Sequence, residues 1–520
     1  MTGAPPRCPD SPPALPDELV EEILVRLPAD EPACLLRASI ISKAWGRPIS
    51  SRAFRRRLHE FHRTPPVLGF LHNWYQEPIP RFIPTTASSF SLAAPDCQTW
   101  QALDCRHGRA LFLSKDQGGV RELLVWEPIT GAQRRVPVPS LFEAVSKLRN
   151  LMFGKEMYPG AAVLCAAGGC DHRDCHGSPF KLVFVFTNLC LIDTCAEGRE
   201  FQIWAFVFSS EAGIWSYVSM QSEFSMEFPF CSSVLVGRSL LYFESDGEVI
   251  LQYDLATHSM TVLLHPPGYR SGWEGRFNIM LTEDGGLGVA EYSNLNIKLW
   301  TREASGGTDA QWVLSRVITL VDLLPIGALV DADRRVQVVG FAEGTNTIFL
   351  NTIAGIFTVD LQSEKARKVC DRRGISNLVP VVSFYTPVPR GEHQEPPSSG
   401  PSEEAGGDEG GEKEKAIDQP QRLFNKGSNA IKEGGTLKTR IPSLKEFALA
   451  CGITEYGCSL IQNAQEADDP LDDVPKSVPN EGSVTGAANK DDSRNSKTSD
   501  SDVEHSAAPS RKGDSEEVLS

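Results

Sequence analysis

The sequence predicts a multidomain chain of mixed α and β character: a small all-α helical module, an all-β propeller-like domain and a disordered acidic tail. Three observations predict it. Apolar residues recur at helical spacing between Leu15 and His62. Short β-type runs then repeat, separated by Gly, Asp, Ser and Pro turns. Beyond Gly391 the chain becomes rich in Glu, Gly, Ser, Asp and Lys, with Phe424, Phe447 and Tyr456 as its aromatics.

Residues 1–12 are proline-rich and expected to be disordered, and the helical module spans 13–60. Leu15, Leu19, Ile23 and Leu27 recur at i+4 with Val20 and Leu24 beside them, which gives a helix an apolar face. Pro16, Asp17 and Glu18 suit a first turn, because proline has no amide to lose there and acids favour the positive end of the dipole. Pro28 stops this helix. Asp30 reads as the next N-cap, followed by Glu31 and Pro32 and then by Ala33, Leu35, Leu36 and Ile40. A third helical stretch runs from Arg52 to Phe61.

The β-rich domain spans 65–388, and long periodic helices are not expected in it. Its strands include Leu123–Trp126, Lys181–Phe186, Phe201–Phe208, Val249–Tyr253, Asn296–Trp300, Val336–Phe341 and Ile356–Asp360. A faint repeat aligns Leu124–Thr130, Leu251–Thr257 and Phe357–Ser363: a strand ending in a bulky residue, an acid, then a turn into a polar strand. The anchors Trp126, Phe208, Tyr253, Trp300 and Val359 are 82, 45, 47 and 59 residues apart. Four strands in roughly 40–50 residues is the signature of a propeller blade. The first interval must hold an insertion or a further blade. An irregular β-sandwich is the alternative.

The tail, 391–520, carries 26 acidic against 14 basic residues, so it holds most of the chain's net charge of −16. Such a segment buries too little apolar area to offset the entropy of ordering, although 421–433 and 443–464 have helical texture. The rest of the chain is nearly charge-balanced, which argues against a general nucleic-acid surface. Arg55–Arg57 is expected to be a solvated helix face. No apolar run is long enough for a membrane helix, and the first residues lack the apolar stretch of a secretory signal. Thirteen scattered cysteines fit free thiols in a reducing compartment, the cytoplasm or nucleus. Cys165, Cys170, His172, Cys175 and His176 crowd into one loop, but C-x4-C-x4-C matches no common zinc module and no second half-site follows. These five therefore remain weak metal candidates, and no cofactor is expected. No nucleophile elbow, HExxH, P-loop or kinase set is present, so catalysis within the chain is not expected.

Leu15-Pro16-Asp17-Glu18-Leu19-Val20-Glu21-Glu22-Ile23-Leu24-Val25-Arg26-Leu27-Pro28, followed by Cys34 to Trp45, resembles the F-box at the family's own spacing. The resemblance implies docking on a Skp-family adaptor and, through it, a cullin-based ubiquitin ligase. It also implies a β-rich region that presents an unidentified protein target. Leu15, Pro16, Leu19, Ile23, Leu24, Leu27, Leu36, Ile40 and Trp45 are the expected adaptor contacts. For any single leucine, holding the module together is an equal expectation, because an apolar face does not reveal what covers it. Ser42 stands where relatives usually have Cys, and Gly46 and Pro48 are expected to interrupt the helix after Trp45. The junction Arg52–Pro66 with Leu68–Asn73 resembles plant F-box proteins that carry a propeller-like region, and Val382–Pro387 resembles their last strand. In the tail, Leu423–Gly434 and stretches near Tyr456–Leu460 and Asp469–Glu481 resemble fragments of NASP-type histone chaperones, which leaves histones as a minor possible partner. The competing reading is a non-catalytic scaffold or histone-binding protein that acts without an adaptor.

Overall fold

The structure is a computed structural model that describes residues 15–387, apart from 42, 75–80, 86–89, 116–119, 155–156, 173–174, 190–200, 225, 229–232, 246–248, 269–276, 304–310, 331–335 and 376–377. The expectations for 1–12 and for the tail, with its helical patches and chaperone-like stretches, lie outside the described residues.

Four helices open the described chain. α1 (Asp17–Val25) follows Pro16, which takes the N-cap position and so stands one place earlier than the sequence suggested. α2 (Pro32–Ile41) begins on Pro32 itself, where a missing amide costs nothing, and Asp30 sits in the turn before it rather than at the cap. α3 (Lys43–Ser50) runs through Gly46 and Pro48, contrary to the expected interruption. The reason is local. A Cβ at Gly46 would lie 3.0 Å from the Ser39 carbonyl oxygen, so the bare glycine lets α3 close on α2. Pro48 falls in the final turn, and the Ser50 hydroxyl donates to the Gly46 carbonyl at 2.9 Å. α4 (Arg52–His62) is capped by Ser51, whose side chain accepts the Phe54 amide at 3.0 Å.

These helices enclose Val20, Leu24, Val25, Leu35, Ala38, Ile49, Phe54 and Leu58. The core is completed from far along the chain by Phe384, which meets the His59 ring at 4.3 Å. This corrects the expectation for Val382–Pro387: only Val382 belongs to the last strand, and Phe384 leaves the sheet to fill the helical core.

The strands form six sheets among the described residues. β1 (Val67–His72) and β2 (Phe82–Pro84) come first. Blade 1 follows with β3 (Trp100–Arg106), β4 (Arg109–Ser114), β5 (Glu122–Trp126) and β6 (Gln133–Pro137). Blade 2 holds β7 (Gly160–Cys165), β8 (Phe180–Leu189), β9 (Phe201–Ser209) and β10 (Ile214–Ser222). Blade 3 holds β11 (Ser233–Val236), β12 (Leu240–Glu244), β13 (Val249–Asp254) and β14 (Ser259–Leu264). Blade 4 holds β15 (Phe277–Leu281), β16 (Leu287–Ser293), β17 (Asn296–Arg302) and β18 (Trp312–Thr319). Blade 5 holds β19 (Gln337–Ala342), β20 (Thr347–Thr352), β21 (Gly355–Asp360) and β22 (Lys365–Cys370). β23 (Leu378–Val382) pairs antiparallel with β1, so blade 6 joins both ends of the domain and closes the ring. Within blade 6, β2 packs against β1 at Gly69, where an added Cβ would sit 2.3 Å from the Ile83 carbonyl oxygen.

All five repeat anchors fall on the third strand of a blade, and the acid after them has a physical role. Asp254 accepts the Ala256 amide at 2.8 Å and the Thr257 hydroxyl at 2.9 Å, fixing the turn into β14. Glu127 accepts the Thr130 hydroxyl at 2.9 Å, and Asp360 accepts the Ser363 amide at 2.6 Å. Among the described residues the long first interval holds no extra blade. It holds α5 (Ser140–Phe153), a helix that the sequence reading missed, and the long β7–β8 connection. Leu141, Phe142 and Val145 of α5 are buried against blade 2, where the Phe142 ring lies 4.7 Å from Phe184.

Apolar clusters fill the spaces between neighbouring blades, which is why most middle strands are deeply buried and the outer strands are more exposed. Carboxylate and amide side chains then clasp one blade to the next. Asn73 pairs with the Ala102 backbone, Asp104 accepts the Val163 amide at 2.8 Å, and Glu244 accepts the Ile279 amide at 3.3 Å. Glu244 keeps a little solvent contact, yet burial pushes its carboxyl from 4.5 up to about 8. A carboxyl that holds its proton more tightly folded than unfolded stabilises the fold below 4.5, and this is lost as pH rises through about 8. Glu244→Gln keeps an acceptor without the charge. Its melting temperature should exceed wild type by about 2–4 °C at high pH and match it under acid conditions. Thermal melts at both extremes check this.

Candidate functional site

The nine expected adaptor contacts divide into two sets. Leu15, Leu19, Ile23 and Ile40 are exposed at 50%, 51%, 42% and 73%, and Pro16 is exposed beside them. Leu24 is fully buried in the module's core, Leu27 and Trp45 pack against that core, and Leu36 is half-buried. α1 is therefore apolar on two sides. Val20 and Leu24 face inward, while Leu15, Leu19 and Ile23 form an outward stripe at i, i+4 and i+8. Periodicity marks both sides and cannot say which one the core uses. Phe61 on α4 is also exposed, at 51%, and the sequence reading passed over it.

The acids on α1 and the basic run on α4 serve each other. Arg57 pairs with Glu21 at 3.5 Å and with Glu22, which also pairs with Arg26. Arg55 donates to the Ser50 carbonyl at 3.0 Å. The basic run thus joins parts of the module, and of the expected solvated face only Arg56 is exposed, Arg55 and Arg57 being half-buried.

A second feature lies at the propeller axis. Arg106 ends the inner strand of blade 1, donates to the Ser233 carbonyl of blade 3 at 2.9 Å and binds Glu343 beyond β19 of blade 5 at 2.5 Å. It also pairs with Asp104 at 3.1 Å. A side chain on blade 1 that touches alternate blades 3 and 5 must sit near the axis. Burial works against its charge, but Asp104 and Glu343 hold the guanidinium above the ordinary arginine range. Burial also pushes the Asp104 carboxyl up to about 6, against the pull of Arg106 and the Val163 amide.

The Cys/His loop of the sequence reading is the third feature. Ligand atoms of Cys165, Cys170, His172 and Cys175 all lie within 4.8 Å of one another. His176, the fifth candidate, turns away toward Glu127, 3.5 Å from its carboxylate. Glu127 in turn pairs with the buried Arg109 at 3.3 Å and accepts the Gly177 amide at 3.1 Å, so the loop is fastened to blade 1. Among the described residues no helix is long and apolar enough to cross a membrane.

Residues 101–388, more than half of the chain, match the family described as "F-box protein AT5G49610-like, beta-propeller". No curated protein matches the chain. A solved structure from a study of two prolyl endopeptidases is similar at 13% identity, over 55% of this chain and 36% of that chain, with a TM-score of 0.24. This chain thus spans about a third of that protein's length, and a likeness so low bears on neither fold nor activity.

Proposed function

The chain belongs to the F-box protein AT5G49610-like β-propeller family, and we propose that it is the substrate-recognition subunit of a Skp–cullin–F-box ubiquitin ligase. The helical module docks on a Skp-family adaptor, and the propeller holds a protein target. The observation that supports this best is the outward stripe of Leu15, Leu19 and Ile23 with Ile40. The module's own core is complete without these side chains, so their remaining apolar area is available to helices of a partner.

The chain itself does no bond chemistry in this reading. A conjugating enzyme elsewhere in the ligase carries the ubiquitin, and the chain contributes proximity by raising the effective concentration of target lysines near that enzyme. Phe384 gives this tether a mechanical basis. It anchors the end of the propeller chain inside the helical core, which makes a stiffer link than a linker alone. Co-purification with a Skp-family adaptor tests the reading. A stoichiometric complex supports it. A folded chain that fails to retain the adaptor points instead to an adaptor-independent scaffold.

A further inference from the structure

We propose that Cys165, Cys170, His172 and Cys175 bind one structural zinc ion, which holds the β7–β8 connection closed against blade 1. Two of the ligand distances fit that ion as they stand, and since all four ligand atoms lie within 4.8 Å of one another the remaining pairs need close by no more than about 1 Å. Cys170 Sγ lies 3.6 Å from Cys175 Sγ, and Cys175 Sγ lies 3.7 Å from His172 Nδ1. Tetrahedral zinc, with bonds of about 2.3 Å to sulfur and about 2.0–2.1 Å to nitrogen, sets neighbouring ligands about 3.5–3.8 Å apart. A disulfide needs sulfurs about 2.05 Å apart, so 3.6 Å separates two thiols rather than two bonded sulfurs.

The spacing is compact rather than absent. Cys165 is the last residue of β7 and is held by the sheet, while the other three ligands follow within ten residues, in the order Cys, His, Cys. One connection therefore supplies all four, and no second half-site is needed. His172 has a φ of 60°, in the left-handed region, where the chain bends back on itself. Its imidazole stacks on His107 at 4.0 Å, and His107 Nδ1 accepts the Cys165 amide at 3.1 Å. The surroundings that orient the ligands thus come from blade 1.

The donor set selects the metal. Three thiolates and an imidazole suit zinc and are wrong for calcium or magnesium, which take oxygen ligands. Four protein ligands leave no open position, which marks a structural site. Three thiolates with Zn²⁺ leave one net negative charge. Arg109 is nearly fully buried beside the loop, donates to the carbonyls of Cys175 and Ser178, and keeps Nη1 without a hydrogen-bond partner among the described residues. Its charge is shared with Glu127, 3.3 Å away, so it offsets the charge of the site in part. Between β7 and β8 the described residues form no helix or strand and bury little apolar area, so a metal staple supplies the order that a core does not. His176, next to the last ligand, lines a small cleft with His59 and Phe384, so the staple also stiffens the seat of α4.

The test is elemental analysis of the full chain, purified without chelator and freed of any histidine tag. It should carry about one zinc per chain, and Cys370→Ser should keep it. Cys170→Ser with Cys175→Ser should fall to about a tenth of that or less. If the double variant does not fold, the wild-type chain refolded with Co²⁺ in place of zinc decides. Tetrahedral cobalt bands with thiolate charge transfer support the site, and an octahedral spectrum overturns it. A folded wild-type chain without metal, a Cys170–Cys175 disulfide, or zinc retained in the double variant would each overturn it as well.

Discussion

Changing Leu19 and Ile23 together to aspartate should weaken adaptor binding by about 100-fold or more while the melting temperature stays near wild type. Both side chains are about half exposed and contribute little to the module's own core. Exposed substitutions of this kind usually shift stability by no more than about 0.5 kcal/mol. On an adaptor the same positions lose their remaining water contact, and an unpaired carboxylate there is strongly disfavoured. Burying each native side chain is worth about 1 kcal/mol for the half that is still exposed, and the inserted charges add to the loss. Leu24→Ala is the contrasting variant. Leu24 is wholly buried, so truncating it should cost about 2–5 kcal/mol of stability and reduce binding only through unfolding. Calorimetric titration beside thermal melts separates the two outcomes. A double variant that binds normally would remove the stripe from the account.

Arg106→Met should be the most damaging single change in the propeller, costing about 3–5 kcal/mol. Arg106 joins blade 1 to blades 3 and 5 and neutralises Asp104 and Glu343. Methionine fills much of the volume but leaves both acids unpaired. The deficit should shrink as pH falls, because the Asp104 carboxyl already lies near 6 and rises further without its cation. Adding Asp104→Asn and Glu343→Gln should recover part of the loss, since the remaining groups are then neutral. Urea unfolding at two pH values checks the size and the sign. A loss below about 1 kcal/mol, or one independent of pH, would contradict a buried ionic hub.

Much of this fold is legible in the sequence because each blade repeats one local solution. In blades 1, 3 and 5 the third strand is largely buried and the acid after its bulky residue closes a tight turn, as Asp254 does with Thr257. The number of blades was not legible, because blade 6 is assembled from β1, β2 and β23 at the two ends of the domain. α5 was missed for a different reason. Its apolar residues Leu141, Phe142, Val145, Leu148 and Met152 do recur at helical spacing, but they lie inside a stretch of β texture where no long helix is expected. Phe384 continues a strand-like run in the sequence, and packing shows that it belongs to the helices. On α1, apolar spacing marks Leu19, Val20, Ile23 and Leu24 alike, so it does not separate the exposed Leu19 from the buried Leu24, and it leaves the buried Val25 unmarked. Linear spacing does not show that the cysteine and histidine side chains of this loop meet, because they are brought together by a bend at His172 and the fixed end of β7.

The central claim is that the helical module docks on an adaptor. The most direct measurement is calorimetric titration of the folded, full-length chain with a purified Skp-family adaptor. The account predicts saturable one-to-one binding with a dissociation constant of about 1 μM or tighter. Absence of binding at about 100 μM adaptor, with the chain shown to be folded, would contradict it.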